Sequence, residues 1–468
     1  MYFEQIVRQD IGCASYVVGS TDAGVAAVVD PRIDMVDEIL EIASREGLTI
    51  RYIIETHNHA DHVSGHHRLS ELTGAQIAVH KDGGAEYQYL PLEDGQELTL
   101  GEVRLRILHT PGHRPEHIAV AAIDTTRGEQ PWLVLTGDSL FIGDVARPDL
   151  AVDGKDGATA LFESLHHKLM QLPEGTMVYP GHVAGSLCGR VNNRMTGTTI
   201  GFERTFNPAL TISDKTEFVQ YMNESLPERP PNMARIVRLN MSDEELAPAE
   251  LHQLAVDDIT KHQADGAVLL DVRSPADFAA AHIPGAINVY LDGGQFQNRV
   301  GLVFPPAARL VLVTGSDHEA HRAVDALQVI GFTNIDGYVT GGMQRWEQSG
   351  HDYVSTSDIT VHDLRERITS DGSLTVIDVR ERSEWQDGHI DCCENVPFYK
   401  LRAASENLDR DRCYAVICAG GIRSMIAASL LQAEGFTSVL NVEGGMDAWE
   451  SAHLPTVREQ VAAGVAAS

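Results

Sequence analysis

Basic residues are scarce in this chain: 36 lysines and arginines stand against 67 aspartates and glutamates, for a formal net charge of −31. Such a field repels nucleic acid and anionic membrane, and the clustered basic patches that phosphate binding needs are missing. The acidity speaks for solubility or a saline habitat rather than for a choice of partner. Cysteine is scarce as well. The six, at positions 13, 188, 392, 393, 413 and 418, are too few and too unevenly spread over 468 residues for a disulfide framework, and they read as reduced thiols. No apolar run is long enough to span a bilayer, and the start, Met1-Tyr2-Phe3-Glu4-Gln5, lacks the basic-then-apolar pattern of a signal peptide. A cytoplasmic location is expected, with no nucleic acid and no membrane as partner.

What is present is an ordinary globular balance, 43% hydrophobic and 22% charged, in a chain long enough for about two to four domains. The densest chemistry lies in Thr56-His57-Asn58-His59-Ala60-Asp61-His62. The β-rich run Ile50 to Glu55 before it predicts a buried strand that delivers the histidines onto a loop. Imidazoles and a carboxylate packed this closely are costly to desolvate unless a cation holds them together. Strands are also expected at 15–18, 25–30 and 76–79. A helix through Met35, Val36, Ile39, Leu40 and Ala43 is stopped by Gly47, and a short helix runs through Leu69 and Leu72.

Three more strands end in loops that carry a metal-binding side chain. Val103–Leu108 runs into Thr110-Pro111-Gly112-His113, Trp132–Leu135 into Thr136-Gly137-Asp138, and Met177–Tyr179 into Pro180-Gly181-His182. Ligands at the ends of several strands are how a rigid scaffold gathers a site from distant sequence. The set His57-x-His59-x-Asp61-His62 with His113, Asp138 and His182 resembles the metallo-β-lactamase fold. That resemblance implies an αββα sandwich of two mixed sheets between helices, with metal at its edge.

Two chemistries fit these residues. A dinuclear zinc hydrolase of the glyoxalase II type would place one metal on His57, His59 and His113 and the other on Asp61, His62 and His182, bridged by Asp138. A single iron on two histidines and one carboxylate would keep one face open for O₂ and substrate. Spacing alone does not separate them.

Beyond Glu228-Arg229-Pro230-Pro231-Asn232, a turn-rich boundary, the chain repeats itself. Leu270-Asp271-Val272-Arg273 recurs as Ile377-Asp378-Val379-Arg380, His282-Ile283 as His389-Ile390, and Asn288-Val289 as Asn395-Val396. Gly341-Gly342-Met343 with Trp346 recurs as Gly444-Gly445-Met446 with Trp449, all at offsets of 103 to 107 residues. Each copy alternates short apolar strands with helices, which predicts a parallel sheet covered on both faces.

In the second copy the strand Tyr414–Ile417 leads through Cys418-Ala419-Gly420-Gly421-Ile422-Arg423-Ser424 straight into a helix expected to run to about Glu434. Converging N–H groups and the helix end favour thiolate there, Arg423 adds charge, and Gly420, Gly421 and Ser424 let the loop wrap an anion. This resembles the active loop of rhodanese sulfurtransferases, whose cysteine attacks a sulfane sulfur and carries it as a persulfide. The first copy departs from it, with Thr314 in place of the cysteine and Glu319 in place of the arginine. A hydroxyl ionises too weakly and a glutamate repels an anion, so that copy reads as an inactive spacer or docking domain.

The whole arrangement resembles the multidomain persulfide dioxygenase–sulfurtransferases of bacteria. It implies an α/β multidomain chain with a dioxygenase domain over 1–230, an inactive rhodanese-like domain over 245–350 and an active one over 357–460. The resemblance further implies one Fe(II) on His57, His113 and Asp138, with His59, Asp61, His62 and His182 orienting ligands and water. Its partners would be a low-molecular-weight thiol persulfide, O₂ and sulfite. Sulfite made at the iron would be consumed by persulfide on Cys418 to give thiosulfate. Cys188 follows His182 closely and either relays sulfur or packs, and Arg147 is expected in a structural ion pair. Cys13, Cys392, Cys393 and Cys413 read as structural. A non-catalytic sulfur carrier with a structural metal is a third reading, opposed by the open ligand set. The oligomeric state is not fixed by the sequence, and size and acidity are compatible with a homo-oligomer.

Overall fold

The computed structural model describes residues 1–183, 195–224, 226, 228–244, 246, 251–370 and 374–459. The chain divides into two compact units, residues 1–247 with a short stretch at 327–331, and residues 248–326 with 332–468.

The first unit holds two six-stranded sheets, each built in chain order. One runs β1 (Tyr2–Val7), β2 (Ala14–Ser20), β3 (Val25–Val29), β4 (Thr49–Ile54), β5 (Gln76–His80) and β6 (Leu90–Leu92). The other runs β7 (Glu97–Leu100), β8 (Val103–His109), β9 (Ile118–Asp124), β10 (Leu133–Gly137), β11 (Met177–Pro180) and β12 (Thr198–Thr199). Both are mixed: β3 to β6 pair in parallel after an antiparallel start, and β10 pairs with β11 in parallel within an otherwise antiparallel sheet.

The period of two along the strands builds the layers. Tyr16 and Val18 on β2, and Ile118, Val120 and Ala122 on β9, face the core between the sheets. The residues in between turn outward onto helices. Val17 packs with Val36, Ile39 and Ile42 of the helix Val36–Glu46, and Ala119 and Ala121 pack with Ala158, Leu161 and Leu165 of the helix Gly154–His167. The result is the αββα sandwich expected from the sequence. The helix Val36–Glu46 stops where Gly47 takes φ 65°, a left-handed cap that glycine adopts freely.

The second unit repeats one five-stranded all-parallel sheet. The first copy orders β13 (Gln253–Leu254), β17 (Ile335–Val339), β16 (Leu310–Val313), β14 (Val268–Asp271) and β15 (Ile287–Asn288). The second orders β18 (Ser357–Ile359), β22 (Val439–Val442), β21 (Cys413–Ile417), β19 (Leu374–Asp378) and β20 (Glu394–Asn395) in the same way.

The repeated motifs are one hydrogen-bond set made twice. Arg380 binds Asp378 through Nε at 3.0 Å and reaches the Gly388 carbonyl at 2.7 Å. Arg273 does the same to Asp271 at 2.9 Å and to the Ala281 carbonyl at 2.9 Å. Asn395 donates to the carbonyls of Asp378 and Arg380, as Asn288 does to those of Asp271 and Arg273. Among the described residues, no helix is long and apolar enough to cross a membrane.

Candidate functional site

The loop after β4 carries His57, His59, Asp61 and His62, and the loops after β8, β10 and β11 bring His113, Asp138 and His182 to it. All seven are buried. Close approach of these loops requires glycine at two places. A Cβ on Gly137, which has φ +46°, would lie 2.6 Å from Thr56 Oγ1, and one on Gly181 would lie 2.7 Å from Asp138 Oδ1.

The seven side chains separate into three groups. His57, His113 and Asp138 form one, with their ligand atoms within 4.8 Å of one another. The Thr56 hydroxyl donates to Asp30 Oδ2 at 2.8 Å, so it accepts from His57 Nδ1–H at 2.9 Å and leaves the Nε2 lone pair bare. His113 Nδ1 likewise donates to the Arg147 carbonyl at 2.9 Å. Its Nε2 then points at Asp138 Oδ2, 3.6 Å away, and His57 Nε2 lies 3.9 Å from the same oxygen. Among the described residues, neither His57 Nε2 nor Asp138 Oδ2 has a hydrogen-bond partner. Burial, reinforced at His57 by the neighbouring imidazoles, holds both histidines below the usual range and therefore neutral. Burial works against the Asp138 charge, but the His182 imidazolium outweighs it and holds the carboxyl at about 2. Two bare imidazole nitrogens and one carboxylate oxygen, buried without protons between them, fit a cation.

The second group is Asp61, His62 and His182. His182 Nε2 donates to Asp61 Oδ2 at 2.6 Å, and His62 Nδ1 lies 3.3 Å from Asp61 Oδ1. Burial opposes protonation of His62, yet the Asp61 carboxylate wins and lifts it to about 9. The third group is His59, whose Nε2 sits 3.2 Å from Asp30 Oδ1 and 3.3 Å from Glu55 Oε2. His59 Nε2 thus lies beside two acids that no sequence motif singles out.

Cys13, expected to be structural, lies in the second group. Its Sγ is 3.5 Å from Asp61 Oδ2, 3.6 Å from His62 Nδ1 and 3.5 Å from His182 Nε2. The backbone places it there: Ala14 N bonds the Gly181 carbonyl at 2.9 Å and Val183 N bonds the Gly12 carbonyl at 2.7 Å. Burial works against its ionisation, but His62 and His182 hold the thiol below its usual range. Only this long-range pairing reveals the cysteine.

Asn240 was also invisible in the sequence. It lies on the helix Met233–Met241, and its amide donates to the carbonyls of His59 at 3.0 Å and His62 at 2.9 Å while its oxygen accepts from Ser64 N at 2.9 Å. The metal-loop backbone is clamped from outside. His117 supports Asp138 in a similar way, accepting from its backbone N–H at 2.9 Å. Arg147 is paired with Asp149, Nε to Oδ1 at 2.7 Å. Cys188 and its loop lie outside the described residues.

In the second unit, Cys418 closes β21 and is 1% exposed. Gly421 N donates to its Sγ at 3.1 Å, Ser424 Oγ is 3.4 Å away, and the helix Ile422–Ala433 begins directly after. The Gly444-Gly445-Met446 turn fixes this loop: Met446 N bonds the Cys418 carbonyl at 2.7 Å and Asp447 N the Ala419 carbonyl at 3.0 Å. A Cβ on Gly445, which has φ +56°, would come within 2.3 Å of both carbonyls. Gly420 is open except toward Asp447.

Arg423 is not a free charge. It grips Glu384 with both terminal nitrogens, at 2.6 and 2.8 Å. In the first copy Glu319 Oε2 accepts from Gly315 N at 2.5 Å, and a carboxylate thus fills the loop that wraps an anion in rhodaneses.

Comparison with known proteins agrees with these two halves. Residues 8–182 match the metallo-beta-lactamase superfamily, and residues 255–349 and 360–452 each match the rhodanese-like domain. The mitochondrial persulfide dioxygenase ETHE1 of Bos taurus is 30% identical over 228 residues, 48% of this chain and 82% of the relative. That of Homo sapiens is 30% identical over 223 residues, 47% of this chain and 80% of the relative. The crystal structure of a metallo-beta-lactamase from Staphylococcus aureus subsp. aureus COL covers 72% of this chain and 98% of its own, at TM-score 0.66 and 27% identity. Sandwich, site and sequence likeness converge: the chain belongs to the persulfide dioxygenase family of the metallo-β-lactamase superfamily and carries two rhodanese-like domains behind that fold.

Proposed function

We propose that this enzyme of sulfur metabolism oxidises a low-molecular-weight thiol persulfide with O₂ and passes a second sulfur to the product. The carrying observation is the pair of pinned tautomers, His57 and His113, whose bare nitrogens converge with the unpartnered oxygen of Asp138. Two histidines and one carboxylate on one face are the donor set of non-haem Fe(II) oxygenases. Fe(II) held by these three, one per chain, supplies O₂ activation and sulfur oxidation when bound. Overall, RSSH + O₂ + H₂O gives RSH + SO₃²⁻ + 2 H⁺.

The chain's own residues do the rest. Thr56 and the Arg147 carbonyl hold the two imidazoles in the ligating tautomer, and His182 keeps Asp138 ionised. In the second unit the Cys418 thiolate attacks the outer sulfur of a persulfide and releases RS⁻. After loss of a proton, Cys418–S–S⁻ yields its outer sulfur to SO₃²⁻, giving S₂O₃²⁻ and the thiolate again. The dioxygenase is assigned to residues 1–230, the inactive rhodanese to 245–350 and the active one to 357–460. A cytoplasmic setting suits the free thiols of Cys13, Cys392, Cys393, Cys413 and Cys418.

The gathering of Asp61, His62 and His182 favours a second reading, a dinuclear zinc thioester hydrolase. In that reading the first metal is one ligand short, because His59 gathers with Asp30 and Glu55 rather than with His57 and His113. Metal analysis with oxygen uptake separates the two. About one iron per chain and O₂ consumption on a thiol persulfide, with sulfite and thiosulfate as products, supports the first. Two zincs and thioester cleavage without oxygen uptake overturn it.

A further inference from the structure

The first rhodanese-like copy lies against the helix that follows the Cys418 loop. The β15 strand and the helix Pro275–Ala280 pack on the helix Ile422–Ala433, and Asn288 N donates to Ser429 Oγ at 3.1 Å. Thr356 Oγ1, at the junction of the copies, donates to Gln432 Oε1 at 2.8 Å. The helix Phe296–Val303 of the first copy also meets the turn Phe398–Lys400 of the second. Arg299 sits on that helix. Among the described residues its guanidinium makes one hydrogen bond, from Nη1 to the Gly293 carbonyl at 3.1 Å, and pairs with no carboxylate.

An arginine withdrawn from water without an acid beside it is costly unless an anion visits it. Burial pulls its guanidinium down to about 10, and the positive charge of Arg423 presses the same way. The helix of Arg299 meets the turn Phe398–Lys400, which itself packs on the helix that follows Cys418, while Arg423 is already neutralised by Glu384. We propose that Arg299, supplied by the inactive copy, is the anion-binding guanidinium of the Cys418 site and receives the sulfite that accepts the sulfur. This rests on the sulfurtransferase reading above. A guanidinium fits two oxygens of a sulfite at once. It leaves the sulfur lone pair free to form the new S–S bond as the bond to Cys418 breaks and its electron pair returns to the thiolate. The first copy has lost its own nucleophile to Thr314 and, on this account, persists because it completes its neighbour's site.

The test uses the full chain, with Cys418 first loaded from a thiol persulfide and thiosulfate formation followed as sulfite is varied. Arg299→Gln should raise the KM for sulfite about tenfold or more with a much smaller fall in kcat, and Arg299→Lys should recover part of it. Equal KM values for wild type and both variants overturn the proposal. Should Arg299→Gln fail to fold, as judged by lost oxygen uptake, Arg299→Lys decides alone: it keeps the charge without the paired donors, so a several-fold rise in KM supports the inference and an unchanged KM sinks it. A wild-type chain that forms no thiosulfate from sulfite instead refutes the underlying sulfurtransferase reading, a result distinct from either.

Discussion

His182 stands between two carboxylates, its Nδ1 2.7 Å from Asp138 Oδ1 and its Nε2 2.6 Å from Asp61 Oδ2. A ring that donates from both nitrogens is an imidazolium, and the two acids hold it well above the ordinary histidine range against the pull of burial. It is the counter-charge that keeps Asp138 ionised at the place where a cation is to bind.

Replacing it exposes that dependence. His182→Gln keeps a polar side chain but no charge, and metal affinity should fall about 10- to 100-fold. Titrating apoprotein with Fe(II) under anaerobic conditions measures this directly, and an unaltered dissociation constant would remove His182 from the account.

The clamp made by Asn240 is open to a stability measurement. Asn240→Ala leaves two buried carbonyls and the Ser64 N–H without their partner, at a cost of about 3 kcal/mol. Urea unfolding followed on the first unit should show that loss, together with less metal retained after dialysis.

In the first rhodanese-like copy, His282 stacks on Phe278 and donates from Nδ1 to its carbonyl at 2.8 Å. Burial drives its pKa down to about 4 from 6.5. The unfolded chain takes up this proton first. The stability that His282 contributes is therefore complete above about pH 6.5, declines as the pH falls toward 4, and changes no further below that. Denaturation midpoints of wild type and His282→Gln over this range should differ in slope; parallel curves would contradict the assignment.

Gly445→Ala should abolish sulfur transfer while leaving oxygen uptake in place. The added methyl would collide with the carbonyls of Cys418 and Ala419 at a backbone angle that alanine resists, so the Cys418 loop must move. Retained thiosulfate formation in this variant would mean that the loop tolerates displacement.

The legible parts of the sequence were those whose chemistry is local. Asp378 and Arg380 sit two apart and bind each other, so their recurrence at Asp271 and Arg273 announced the repeat. Strands ending in His or Asp announced the metal loops. The β9 strand went unread because Ile118-Ala119-Val120-Ala121-Ala122 is buried on both faces and shows no alternation to see. Cys13, Asn240 and Arg299 act across long stretches of chain, through backbone pairings and helix packing that spacing does not encode. Arg423 shows the same limit from the other side: its place in the loop was visible, but the Glu384 that neutralises it comes from a helix 39 residues earlier.

The turn at Gly444, Gly445 and Met446 has a consequence for how the protein is made. Because Met446 N and Asp447 N tie down the carbonyls beside Cys418, the loop acquires its shape only from residues synthesised well after the cysteine. A polypeptide released early by the ribosome, anywhere short of Met446, would carry the thiol but not the cradle that arms it. Premature termination would then yield an inert fragment rather than an unregulated sulfur donor.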